Sequence, residues 1–159
     1  MKRYIKDSGM YTDLMNQLKD KFEDTLGHVF IDEILVVQDT EFEIKPPKGR
    51  SGEDPTEEQV EKWEQKKKHA WKFQMKKLPE LFADILDTKK EFMLIVRQNV
   101  AKDLSEEQTL AYLYTELRKI NAEYKLVKPD LHTFSDLAKL LGRADWDQAY
   151  NIPNILENE

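Results

Sequence analysis

The sequence predicts an α+β fold with a small mixed sheet of about three strands and several packed helices. Two observations carry that expectation. Three segments are dense in β-branched or alternating apolar residues, and the segments between them repeat apolar residues every three or four positions. The order reads helix, strand, loop and helix, strand, helix, strand, helix, helix, without an internal repeat. The 159 residues suit a single domain over 1–159, and 40% apolar content is enough for a core.

Residues 9 to 26 read as one amphipathic helix, because Tyr11, Leu14, Met15, Leu18, Phe22 and Leu26 share a face. Ser8 is positioned as its N-cap and Gly27 as its terminator. Residues 34 to 38 then read as a buried strand carrying Ile34, Leu35, Val36 and Val37.

From 39 to 68 the pattern dissolves into a flexible excursion. Pro46, Pro47, Gly49, Ser51 and Gly52 mark a loop. A polar helix follows from Pro55, with Asp54 as N-cap and Glu57 three residues on. Its only apolar residues are Val60 and Trp63.

Trp71, Phe73 and Met75 alternate with polar residues, which predicts a half-buried strand. A continuous helix from Pro55 to Asp87 competes, but it would scatter those three side chains around its circumference.

Pro79 opens a short helix bearing Leu81, Phe82, Ile85 and Leu86. Residues 91 to 98 form another strand, centred on Phe92 to Val96. Ser105 and Gln108 have capping-box spacing, before a helix with Leu110, Leu113, Tyr114, Leu117 and Ile120 on one side. Residues 133 to 141 form a last helix with Phe134, Leu137, Ala138 and Leu141 inward, closed by Gly142. A C-terminal tail, 145–159, holds Trp146, Tyr150, Ile152 and Ile155, and packs as an arm or stays loose.

Composition excludes several functions. The net charge of −6 opposes non-specific nucleic-acid binding, and the run Lys66, Lys67, Lys68 reads as a solvated helix end. Without cysteine there are no disulfides, thiolate nucleophiles or cysteine metal sites. The basic Met1-Lys2-Arg3-Tyr4 start has no apolar segment after it, so no signal peptide is expected. No apolar stretch approaches the ~18 residues of a membrane span. A soluble, cytoplasmic protein is expected.

The most informative stretch is Glu91 to Leu141. Glu91-Phe92 opens a strand, Leu104-Ser105 and Gln108 start a helix, and Ala111 to Tyr114 lead into Thr115-Glu116-Leu117-Arg118-Lys119. Lys128-Pro129-Asp130 follows, then a helix with Phe134. This succession resembles the putative phage metallopeptidase family, whose members carry a zincin-like core. That family's pattern is a D-F-V-I strand, then LS-x-x-Q-x-x-A-L-L-x-H-E-L-x-H, then K-H-D. The resemblance implies a zincin-like fold and a phage or prophage origin.

The resemblance also implies where zinc would be held. In a His-Glu-x-x-His helix the two imidazoles, four residues apart, chelate one Zn²⁺, and the glutamate takes a proton from the metal-bound water. Here Thr115, Lys119 and Pro129 stand at the three ligand positions, and of the residues that carry the chemistry only Glu116 is retained. A hydroxyl, an ammonium and a ring without a donor do not replace three imidazoles. The expectation is no catalytic residue, no metal and no cofactor.

Other donors are sparse. The histidines are His28, His69 and His132. His132 lies close to Pro129, while Glu116, Glu123, Asp130 and Asp136 offer oxygens for a hard cation. Scattered surface carboxylates and structural histidines are the simpler account. Glu116 and Lys119, with Thr115, are expected as an exposed ion pair and hydroxyl contact, opposite the Leu113–Leu117 face. Trp63, Trp71 and Trp146 are expected as core or half-buried anchors.

The leading functional expectation is a catalytically inactive, metallopeptidase-like phage protein in the host cytoplasm. It would act by protein–protein interaction, inhibiting or modulating a host defence or regulatory protein. Two alternatives stand beside it. One is a metal-dependent hydrolase with unusual ligands around Glu116; the other is a nucleic-acid-associated regulator.

Overall fold

The computed structural model describes residues 2–128, 134–143 and 146–157. It is α+β, built on a mixed four-stranded sheet in the order β1-β2-β4-β3. Strands β2 (Ile34–Asp39) and β4 (Phe92–Arg97) form the parallel centre. Strands β1 (Tyr4–Lys6) and β3 (Phe73–Lys77) flank them antiparallel. Strand β1 is a fourth strand beyond the expected three. Its three residues are all exposed, so it left no apolar pattern to read.

Alternation sorts the two faces of the sheet. Ile34, Val36, Phe73, Met75, Phe92, Leu94 and Val96 are buried on one face. There they meet α1 (Met10–Lys21) and α6 (Glu106–Arg118) through Met15, Leu18, Leu110, Leu113 and Leu117. Burying each such side chain contributes roughly 1.5–3 kcal/mol relative to leaving it in water.

The first helix departs from expectation at both ends. Gly9, not Ser8, is its N-cap, with a left-handed φ of 114° that glycine adopts without a Cβ clash. The Asp7 carboxylate accepts the N–H groups of Gly9 and Tyr11, so the acid one residue earlier does the work expected of Ser8. The helix also breaks at Phe22, and a short α2 (Glu23–Leu26) follows. Nothing in the local sequence marks that break. The Phe22 ring packs against Tyr114 with centroids 4.8 Å apart.

Between β2 and β3 lies α3 (Glu57–His69), which starts two residues later than expected. Asp54-Pro55-Thr56-Glu57-Glu58-Gln59 contains two overlapping capping signals. The reciprocal Thr56–Gln59 box forms, because each side chain accepts the other's backbone N–H. No α3 residue is buried. The Trp63 indole N–H donates to Ile44 O at 2.8 Å and ties the helix to the preceding loop.

The chain leaves helix before Trp71, so the strand reading prevails over a continuous helix, although β3 begins at Phe73. Trp71 instead stacks on the Arg97 guanidinium at 3.4 Å, and Phe42 lies at 3.7 Å from the same group. Phe42 thereby ties the loop after β2, and Trp71 the connection before β3, to the end of β4.

Helix α4 (Glu80–Ile85) has no buried residue, and α5 (Gln98–Ala101) follows β4 directly. The Ser105–Gln108 capping box opens α6 as expected. Helix α7 (Ser135–Leu141) ends at Gly142, whose φ of 79° suits a left-handed terminator. Thr133, where that helix was expected to begin, lies outside the described residues. The tail packs: Trp146, Ile152 and Ile155 are buried, while Tyr150 is exposed. Among the described residues, no helix is long and apolar enough to cross a membrane.

Candidate functional site

The Thr115–Lys119 segment lies in the last turns of α6, where the helix passes β3. Residue spacing placed Glu116 on the wet side of that helix. The structure corrects this. Helix α6 packs against α1 and α2 on one flank and against β3 and the tail on another, so its buried surface is wider than one stripe. Glu116 keeps only 5% of its surface exposed, and Thr115 is buried as well.

Both Glu116 oxygens are engaged. Lys119 Nζ donates to Oε1 at 2.8 Å, and the Met75 backbone N–H of β3 donates to Oε2 at 3.0 Å. Met75 belongs to the outer edge of the sheet, where among the described residues β3 has no strand partner. The carboxylate therefore latches helix to sheet by satisfying a backbone donor that would otherwise be buried unpaired. Burial pushes the Glu116 carboxyl above the usual glutamate range; the charge and hydrogen bond of Lys119 and the Met75 N–H oppose that rise.

Thr115 Oγ1 donates back to Ala111 O at 2.9 Å, one turn earlier on the same helix. Lys119 is half-buried. Together these described positions present a neutral hydroxyl, an ammonium, and a single carboxylate paired with that ammonium. That set does not fit a zinc ion, which is held by several imidazole, thiolate or carboxylate donors and is repelled by a cation. Pro129, Asp130 and His132 lie outside the described residues. Among the described residues, no three of His, Asp and Glu gather where a metal ion could be held.

A cleft of about 190 Å³ opens beside this latch. Thr115, Glu116 and Lys119 form one wall; His69, Trp71 and Lys72 come from the connection between α3 and β3. Tyr112 and Trp146 close it with ring centroids 4.8 Å apart. Lys72 is buried and donates to Lys68 O at 2.6 Å, capping the end of α3. Burial lowers the Lys72 ammonium and raises the Tyr112 phenol.

Sequence reasoning treated His69 and the tryptophans as unrelated to Glu116. The connection after α3 brings His69 and Trp71 to the cleft, and no residue spacing signals that juxtaposition. The other candidates are dispersed. His28 Nε2 bonds Ile120 O at 2.7 Å, a structural contact. Asp136 pairs with Arg118, and Glu123 lies in a separate surface depression with Glu33 and Glu91. Trp63 and Trp71 are half-buried, as expected of anchors. Lys67 lies over the Trp63 ring, 4.6 Å from its centroid, at a solvated helix end.

The family model described as "Putative phage metallopeptidase" matches residues 54–154, from the start of α3 through most of the tail. No curated protein and no solved structure matches the chain. The match spans well over half of the sequence, and the chain belongs to this family.

Proposed function

We propose that this member of the phage metallopeptidase family is catalytically inactive and acts by binding another protein, as a modulator of a host defence or regulatory component. The observation that carries the reading is the Glu116 latch. A general base must present a basic carboxylate oxygen within hydrogen-bond reach of a metal-bound water. Here one oxygen holds the Lys119 ammonium and the other holds the Met75 N–H. The glutamate that the family motif assigns to proton transfer serves instead to join α6 to β3.

Support comes also from the two neighbouring positions. Lys119 places a positive charge where the motif needs a neutral imidazole, and it would repel Zn²⁺. Thr115 spends its hydroxyl proton on its own helix. A scaffold with a cleft but no such chemistry is suited to recognition. The excursion from 39 to 68 is the segment proposed to contact a partner, since its helix buries nothing of its own.

The experiment is a peptide-library and casein digestion assay with added Zn²⁺, run on the parent and on Glu116→Gln. The expected result is no hydrolysis that depends on Glu116 or responds to a chelator. Turnover abolished by Glu116→Gln would overturn the proposal and restore a hydrolase with unusual ligands.

A further inference from the structure

Helix α4 presents an apolar face that the described residues leave exposed. Leu81, Phe82, Ile85 and Leu86 are 66, 53, 70 and 59% exposed. These positions, i, i+1, i+4 and i+5, form one quartet on the helix surface. Single exposed apolar residues are ordinary, but a contiguous quartet marks a contact surface. Charge accompanies it: residues 80 to 87 include Glu80, Asp84 and Asp87 and no cation.

The second face of the sheet is complementary. It carries Leu35 and Val37 on β2 and Met93 and Ile95 on β4, each half-buried. Strand register pairs Leu35 with Met93 and Val37 with Ile95, so the four side chains form a compact square. Two exposed lysines stand at opposite margins: Lys76 beside Met93, and Lys6 beside Val37. The dimensions agree. Residues i and i+2 of a strand are about 6.8 Å apart, and i and i+4 of a helix are about 6 Å apart along its axis.

We infer that this chain forms a closed dimer with a second copy of itself, in which α4 of each copy lies on the outer sheet face of the other. The apolar quartet of α4 covers the Leu35, Val37, Met93, Ile95 square, and Glu80, Asp84 and Asp87 meet Lys6 and Lys76. A reciprocal contact uses both surfaces of both copies, which is what closes the assembly at two. The inference stands independently of whether the Glu116 cleft is catalytic.

Sedimentation velocity on the full chain across the micromolar range, at low and high salt, tests it. The expected result is a concentration-dependent species of twice the 18.9 kDa monomer mass, weakened by salt. The doubly substituted Phe82→Asp, Ile85→Asp chain should stay monomeric while keeping its circular dichroism, since both side chains already face solvent, and its Tm should no longer rise with protein concentration as the parent's does. Lys76→Glu should weaken the dimer at low salt, and adding Asp84→Lys should restore it. A parent chain that stays monomeric would overturn the inference and leave α4 to a different protein. So would open-ended growth, a dimer that survives the double substitution, or a Lys76→Glu chain that dimerises as the parent does.

Discussion

Helices α3 and α6 make an instructive pair. Each has 13 residues, and each opens with a complete capping box, Thr56–Gln59 in one and Ser105–Gln108 in the other. Yet α3 buries no residue, while α6 buries eight, Glu116 among them. The cap determines where a helix starts; the side chains that follow determine whether anything larger depends on it. The cleft and its latch belong to α6, so their geometry is held by the core. Helix α3 is held by polar tethers such as Trp63 to Ile44 and Lys72 to Lys68.

The sharpest way to break this contrast is a core deletion. Leu113→Ala in α6 should cost about 3 kcal/mol, with the spread set by how far the site collapses. Val60→Ala in α3 should cost less than about 0.5 kcal/mol, as expected for a surface position. Urea denaturation of both variants measures the difference, and equal losses would contradict the division.

Next in size is Glu116→Ala, which leaves the Met75 N–H buried and unpaired. The expected loss is about 2–3 kcal/mol in the same titration, including the space vacated by the side chain. A loss near zero would mean that the latch contributes nothing to the fold.

Lys119→Met sharpens the electrostatic part. Glu116 already has a raised carboxyl, so its contribution to stability is greatest below the ordinary glutamate range and declines as pH rises through the raised folded value. Removing the lysine raises the folded value further and widens that window upward. The variant should therefore lose about 1–2 kcal/mol at neutral pH, with Lys119 half-exposed and the pair partly screened. The deficit should shrink as the pH falls to where Glu116 is protonated. Denaturation midpoints at several pH values check the slope, and a deficit constant with pH would contradict the account.

The smallest contrast compares the caps. Ser105→Ala removes a capping bond and the hydroxyl that donates to Tyr150 O, so it should cost about 1–2 kcal/mol globally. Thr56→Ala should lower local protection in α3 by hydrogen exchange and change global stability by less than about 0.5 kcal/mol.

The same contrast explains what the sequence made legible. Strand β4, the Ser105 box and the Gly142 stop follow from local rules, and each forms where the residues indicate. The Asp54 and Ser8 starts were misplaced because neighbouring residues offered competing capping signals, and backbone geometry chose between them. Strand β1 escaped notice because three exposed residues carry no period. The burial of Glu116 was hidden for a different reason. Apolar spacing reveals one stripe of a helix, but α6 is also covered by β3 and the tail, and that contact depends on chain segments far away in sequence. The cleft was half legible: the altered motif was visible, while His69, Trp71 and Trp146 reached it only through the fold.

The central claim is that the Glu116 site has exchanged metal chemistry for a structural bond. Elemental analysis of the purified chain, after exposure to excess zinc and dialysis, tests it most directly. The account predicts that no zinc is retained in proportion to protein. About one zinc per chain, lost in Glu116→Gln, would contradict it.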